Sequence, residues 1–206
     1  MGKVSALFWD LGGVILTNAW DRNSRMKAVE NFHLDRDDFE DRHELLLNAF
    51  ETGQITLDEY LNRVIFYRQR AFTKEDFKQF MYDESQALAG TPAILQKIAV
   101  LDNYLVAALN NESLELNEYR IQKFHLRDYF QVFMSSCYLG VRKPDEAIYR
   151  QVLHITQRRP EECIFIDDRS LNLECARELG MNTIQFKSPA QLKEDLAHSG
   201  VPLDGK

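Results

Sequence analysis

Short, nearly continuous apolar runs alternate along this chain with segments whose apolar residues recur at helical spacing. The runs fall at 3–9 (KVSALFW), 103–109 (NYLVAAL), 131–134 (QVFM), 162–167 (ECIFID) and 182–186 (NTIQF). Apolar character at successive positions, bounded by turn residues, predicts strands buried on both faces. Between them, Thr91-Pro92 predicts an N-cap and an N1 proline for a helix of about ten residues. Ile148, Val152 and Ile155 predict one helical face; Leu173, Ala176 and Leu179 predict another, closed by Gly180. Ser188-Pro189 predicts the start of the last helix. Strand and helix in this rhythm imply a parallel sheet with right-handed crossovers.

One stretch breaks the rhythm. From about Asn18 to Gln86 there is no convincing strand. Helix starts are signalled by Asp35 with Asp38, Thr56 with Glu59, and Thr73 with Asp76. Leu57, Leu61, Val64 and Ile65 form an apolar face, and Gly53 marks a turn between helices. The expected architecture is α/β: a Rossmann-like parallel sheet flanked by helices (1–17 plus 87–206), with an inserted helical cap (18–86).

The 206 residues suffice for one core plus a smaller module. Acidic residues outnumber basic ones, 32 to 25, for a formal net charge of -7, which disfavours nucleic acid and anionic membrane as partners. Three cysteines without a CxxC suggest neither a disulfide framework nor a zinc site. The five histidines lack ligand spacing. The start MGKVSA resembles neither a secretory leader nor a myristoylation signal, and no apolar run is long enough to span a bilayer; a reduced, cytoplasmic setting is expected.

In an open parallel sheet, ligands bind beyond the carboxyl ends of the strands. The residues at those ends are Asp10, Asn110-Asn111, Lys143 and Asp167-Asp168. Singly, each has an ordinary role in capping, turns or solvation; together they place three carboxylates, two amides and one cation at a single edge. One lysine cannot neutralise three carboxylates. A hard divalent cation can, and Mg²⁺ suits because it takes few protein ligands and accepts phosphate oxygens. Asp10 beside two cations would be a competent nucleophile towards phosphorus.

The order WDLGGV, LNNE, RKPDEAIY and FIDDRSLN resembles the four motifs of the haloacid dehalogenase-like superfamily, over essentially the whole chain. By that resemblance Asp10 is the nucleophile and Lys143 the charge-neutralising lysine. The Gly12 carbonyl and Asp167 bind the metal together with Asp10, with Asp168 close by. Asn110, at the usual Ser or Thr position, is expected to hold phosphate together with Asn111 and Lys143, and Asn172 completes the fourth motif. FETGQITLDEYL and GVRKPDEAIYRQVL look most like the branch that includes a bacterial α-glucose-1-phosphate phosphatase. The resemblance implies a magnesium-dependent phosphatase acting on a small phosphorylated metabolite such as a sugar phosphate. A metal-independent dehalogenase and a non-catalytic phosphate binder are the alternatives.

One position departs from the pattern. Phosphatases of this superfamily usually carry Asp two residues after the nucleophile, as general acid and base; here it is Gly12. The glucose-1-phosphate branch shares that Gly. Without the acid, esters with good leaving groups are expected to be favoured. Among other residues, Trp9 is expected to pack the sheet, Asp21 and Arg22 to be solvated, Cys137 to be a small buried residue, and Arg158-Arg159 to sit at a helix C-terminus.

Overall fold

A computed structural model describes residues 3–203. The first two residues of the MGKVSA start lie outside that range, as do the last three of the expected core. The five predicted runs form β1 (Ala6–Trp9), β2 (Leu105–Ala108), β3 (Val132–Phe133), β4 (Cys163–Asp167) and β5 (Asn182–Gln185). They make one all-parallel sheet in the order β3-β2-β1-β4-β5. The order reverses beside β1, so the crevice at the carboxyl ends opens next to Asp10.

The continuous apolar runs have a direct cause. Leu7 and Trp9 enter one layer with Ile94, Leu95 and Ile98 of α5 (Thr91–Ala99) and Leu192 and Leu196 of α10 (Pro189–His198). Ala6 and Phe8 enter the opposite layer with Ile148, Tyr149 and Val152 of α8 (Glu146–Thr156) and Leu173 and Ala176 of α9 (Ser170–Glu178). Both faces are dry, so no polar alternation is possible.

Two predicted details shift. The N-cap of α5 is Gly90, at φ 89, and Thr91 lies inside the helix with its Oγ1 buried and unpartnered. Ile155 is 55% exposed; the buried stripe of α8 is Ile148, Tyr149 and Val152.

Between β1 and α5 the chain forms α1 (Arg22–Asn31), α2 (Arg36–Glu51), α3 (Leu57–Val64) and α4 (Lys74–Asp83). The N-caps of α2, α3 and α4 are Asp35, Thr56 and Thr73, each accepting from the backbone N–H three residues on. These helices share a core of Phe39, Phe50, Tyr60, Leu61, Phe77 and Met81, among others, joined from below by Leu116 of α6 (Leu114–Lys123). The entering and leaving segments run side by side: Thr17 donates to Gln86 O and Leu88 to Ile15 O. Helix α1 has no signal at helical spacing because it buries only Ser24 and Ala28. Its N-cap is Asp21, half-buried rather than solvated, accepting from Ser24 N. Among the described residues no helix is long and apolar enough to cross a membrane.

Candidate active site

Strand β1 ends by delivering Asp10 into the crevice, its N–H bonded to Ile166 O of β4 at 2.8 Å. Its Oδ1 accepts from Leu11 N at 2.8 Å and lies 3.1 Å from Lys143 Nζ. The ammonium also donates to Asp167 Oδ2 at 2.7 Å and Leu109 O at 2.8 Å. Lys143 and Asp167 are 2% and 0% exposed. Asp167 is oriented further by Arg169 N at 2.8 Å and by Asn172 Nδ2, 3.1 and 3.0 Å from its two oxygens. Tyr149 in turn donates to Asn172 O.

Asp10, Asp167 and Asp168 each offer an oxygen within 4.8 Å of the others. Burial raises the Asp10 carboxyl above its ordinary range; Lys143 opposes this, while Asp167 and Asp168 reinforce it. Burial and Asp167 raise Asp168 likewise. Lys143 would be depressed by burial, but Asp10 and Asp167 overcome that and raise it. One ammonium among three carboxylates leaves negative charge uncompensated. Asp168 Oδ1 is buried with no hydrogen-bond partner, an atom that costs stability unless something else binds it. An all-oxygen donor set with excess negative charge and an orphaned oxygen fits a hard divalent cation.

The loop after β1 is shaped by close approach. A Cβ on Gly13, at φ +74, would fall 2.4 Å from Asp168 Oδ2, so only glycine leaves that carboxylate its place. A Cβ on Gly12 would meet Asn18 Oδ1 at 2.7 Å. The Asn18 amide thus fills the space where a side chain at position 12 would begin.

Two expected phosphate ligands are engaged elsewhere. Asn110 is 1% exposed; its Nδ2 donates to Asn117 Oδ1 at 3.0 Å and its Oδ1 accepts from Ser135 Oγ at 2.8 Å. Its amide is turned away from the crevice because those polar groups, buried between α6 and the strand ends, need partners. Asn111 does line the crevice, but its amide clamps Lys143, donating to Lys143 O and accepting from Lys143 N, both at 2.8 Å. Both asparagine side chains are thus engaged by protein groups in this structure. The remaining expected residues converge: Asp10, Gly12, Lys143 and Asn172 line a common cavity, and Asp167 and Asp168 each bring an oxygen within 4.8 Å of Asp10. Trp9 packs in the sheet, and Cys137 is half-buried rather than buried, its thiol pushed up to about 12 by burial.

The cavity has further walls that carried no role in the sequence. Glu51 from the end of α2 lies with Oε2 2.9 Å from Arg142 Nε. Arg120, 2% exposed, donates to Glu112 Oε2 at 2.8 Å and to Thr17 O at 2.6 Å, tying the cavity wall to the entering segment. Arg142 and Arg169 do stand beside motif residues. Glu51 and Arg120 had no signal in spacing.

A family model described as haloacid dehalogenase-like hydrolase matches residues 4–180. The chain is 34% identical over 160 residues to the chloroplast flavin mononucleotide hydrolase 1 of Arabidopsis thaliana, covering 78% of this chain but only 64% of that protein. It is 25% identical over 94% of its length to the D-ribitol-5-phosphate phosphatase of Bacteroides thetaiotaomicron, 97% of which is covered. A crystal structure of a family enzyme from the same bacterium, bound to magnesium and inorganic phosphate, superposes with a TM-score of 0.75 at 22% identity, covering 89% of this chain and 94% of that one. This likeness is one of fold. With its parallel sheet, helical insertion and matched length, the chain belongs to the haloacid dehalogenase-like hydrolases.

Proposed function

We propose that the protein is a magnesium-dependent phosphatase of small phosphate esters, acting through an aspartyl-phosphate on Asp10. The observation that carries this reading is the set of three carboxylates around one buried ammonium, with Asp168 Oδ1 left without a partner. Asp10, the Gly12 carbonyl, Asp167 and Asp168 would hold the ion, which supplies charge neutralisation to the phosphoryl group and the carboxylates when bound. Lys143 neutralises Asp10 from the other side and keeps its carboxylate oriented. An Asp10 oxygen then attacks phosphorus as the ester P–O bond breaks, and water later cleaves the acyl phosphate. The cap covers the cavity and supplies Trp20, Asp21 and Glu51 to its wall. A wall of that polarity suits hydroxyl-rich substrates such as sugar or polyol phosphates, and the likeness of the cap segment to the glucose-1-phosphate phosphatase branch points the same way.

The dehalogenase alternative needs the carboxylate cluster to accept an anionic substrate without a metal, against its charge. The test is hydrolysis of 4-nitrophenyl phosphate with Mg²⁺, with excess chelator, and by Asp10→Asn. Turnover should vanish with chelator and in the variant, while the variant keeps its fold. Undiminished turnover in chelator, or a tenth of the wild-type rate in Asp10→Asn, would sink the reading. Halide release from 2-haloacids would favour the dehalogenase. Phosphate binding without any turnover would favour a non-catalytic role.

A further inference from the structure

Gly12 leaves the site without the carboxyl that would protonate the leaving oxygen, and the space is filled by Asn18, whose amide can donate a hydrogen bond but cannot transfer a proton at neutral pH. The described residues that line the cavity include neither histidine nor tyrosine. Besides Asp167 and Asp168, which would hold the ion, four carboxyls remain. Asp10 is the nucleophile. Asp21 caps α1, accepting from Ser24 N through Oδ1. Glu112 is held on one oxygen by Ser113 N and on the other by Arg120. Glu51 is the fourth, and its Oε2, although 2.9 Å from Arg142 Nε, makes no aligned hydrogen bond.

We propose that Glu51, carried by the cap, is the general acid and base that replaces the missing carboxyl at position 12. The proposal rests on the phosphatase reading and deepens it. Glu51 is held over the core by one hydrogen bond and one close approach. Ser136 Oγ donates to Glu51 O at 2.6 Å. Gly53, two residues on, packs so tightly that a Cβ there would stand 2.5 Å from Cys137 O. Both contacts hold the end of α2 at the cavity.

The protonation state suits the task. Burial pushes the Glu51 carboxyl up to about 7. Arg142, from the segment before α8, pulls it down; Glu112, beyond β2, pushes it up; Arg169, after β4, and Lys143 pull it down. Both forms are then populated near neutrality, as an acid that must become a base in the next step requires. In the first step the P–O(ester) bond breaks as Asp10 bonds to phosphorus, and the departing oxygen takes the Glu51 proton. In the second, the Glu51 carboxylate takes a proton from water as that water's oxygen bonds to phosphorus and the P–O(Asp10) bond breaks. Glu51 ends protonated, Asp10 ends free, and inorganic phosphate leaves.

The experiment compares wild type, Glu51→Gln and Glu51→Asp in Mg²⁺, with 4-nitrophenyl phosphate and glycerol 3-phosphate, by single turnover and by acid quench for phosphoenzyme. Glu51→Gln should cleave glycerol 3-phosphate about 100- to 10,000-fold more slowly. It should keep the nitrophenol burst within a few-fold, because that leaving group needs no proton. Phosphoenzyme should accumulate, the ionisation near neutrality should disappear from its pH profile, and Glu51→Asp should recover part of the rate. The steep leaving-group dependence that Gly12 alone predicts would then belong to Glu51→Gln and not to wild type. Equal losses on both substrates with an unchanged pH profile would overturn the proposal and leave Glu51 as a positioner of Arg142. Wild-type rates in Glu51→Gln would overturn it outright. Absence of any magnesium-dependent burst in wild type would instead overturn the phosphatase reading beneath it.

Discussion

Replacing Lys143 by methionine removes the ammonium but keeps most of the side-chain volume. In the native site Nζ lies 2.7 Å from Asp167 Oδ2, 3.1 Å from Asp10 Oδ1 and 2.8 Å from Leu109 O. At an effective dielectric constant of about 20, the two ion pairs are worth about 6 and about 5 kcal/mol of gross attraction. Much of that is offset by the cost of burying the lysine, and an abandoned carboxylate can relieve itself by taking up a proton. Removing one partner of a buried ionic cluster costs about 3–5 kcal/mol net. For a chain of this size that corresponds to a fall in Tm of roughly 6–20 °C. The measurement is urea unfolding in chelator, where no metal can substitute for the lysine. Mg²⁺ should then restore part of the loss. Adding Asp10→Asn should restore another part, giving a coupling of at least about 1 kcal/mol in the double-mutant cycle. If Lys143→Met stayed within about 0.5 kcal/mol of wild type in chelator, the buried cluster would not be held by charge, and the account of the site would fail with it.

Other perturbations test other walls. Gly13→Ala should cost about 1–2 kcal/mol for its left-handed backbone and, by displacing Asp168 Oδ2, raise the Mg²⁺ concentration needed for half-maximal turnover; an unchanged metal requirement would remove Asp168 from the metal site. His43, buried and bonded through Nδ1 to Tyr60, is depressed from 6.5 to about 4, first by burial and then by Arg25. The folded protein therefore disfavours its protonation, so this contribution is complete above pH 6.5 and declines as pH falls towards 4. It amounts to about 3 kcal/mol at about 1.4 kcal/mol per unit. His43→Gln should flatten that part of the stability-pH curve, and an identical slope in the variant would disprove the assignment.

The sheet and the chemistry at its edge were legible for one reason: both depend on local sequence. A strand buried on both faces must be continuously apolar, and the first polar residue after it must emerge at the carboxyl edge. That places Asp10, Asp167 and Asp168 without any knowledge of contacts. The caps Asp35, Thr56, Thr73 and Ser188 were readable because their partner lies three residues away. Helix α1 was not, because its buried positions are small and give no apolar period.

What only the tertiary structure decided is where long polar side chains point and what they meet. Asn110 and Asn111 stand together at one strand end, yet the first turns into the buried Asn117–Ser135 network and the second clamps the Lys143 backbone. Their partners lie 7, 25 and 32 positions away, beyond any pattern of periodicity. Glu51 and Arg142 meet across 91 residues, and only the docking of the cap on Ser136 and Cys137 brings them to the same cavity. The sequence determined which strand ends carry charge, because strand burial is encoded by neighbours in the chain. The three-dimensional packing determined which of those groups is free to act, because every buried polar atom must first find a partner, and that partner is set by the fold.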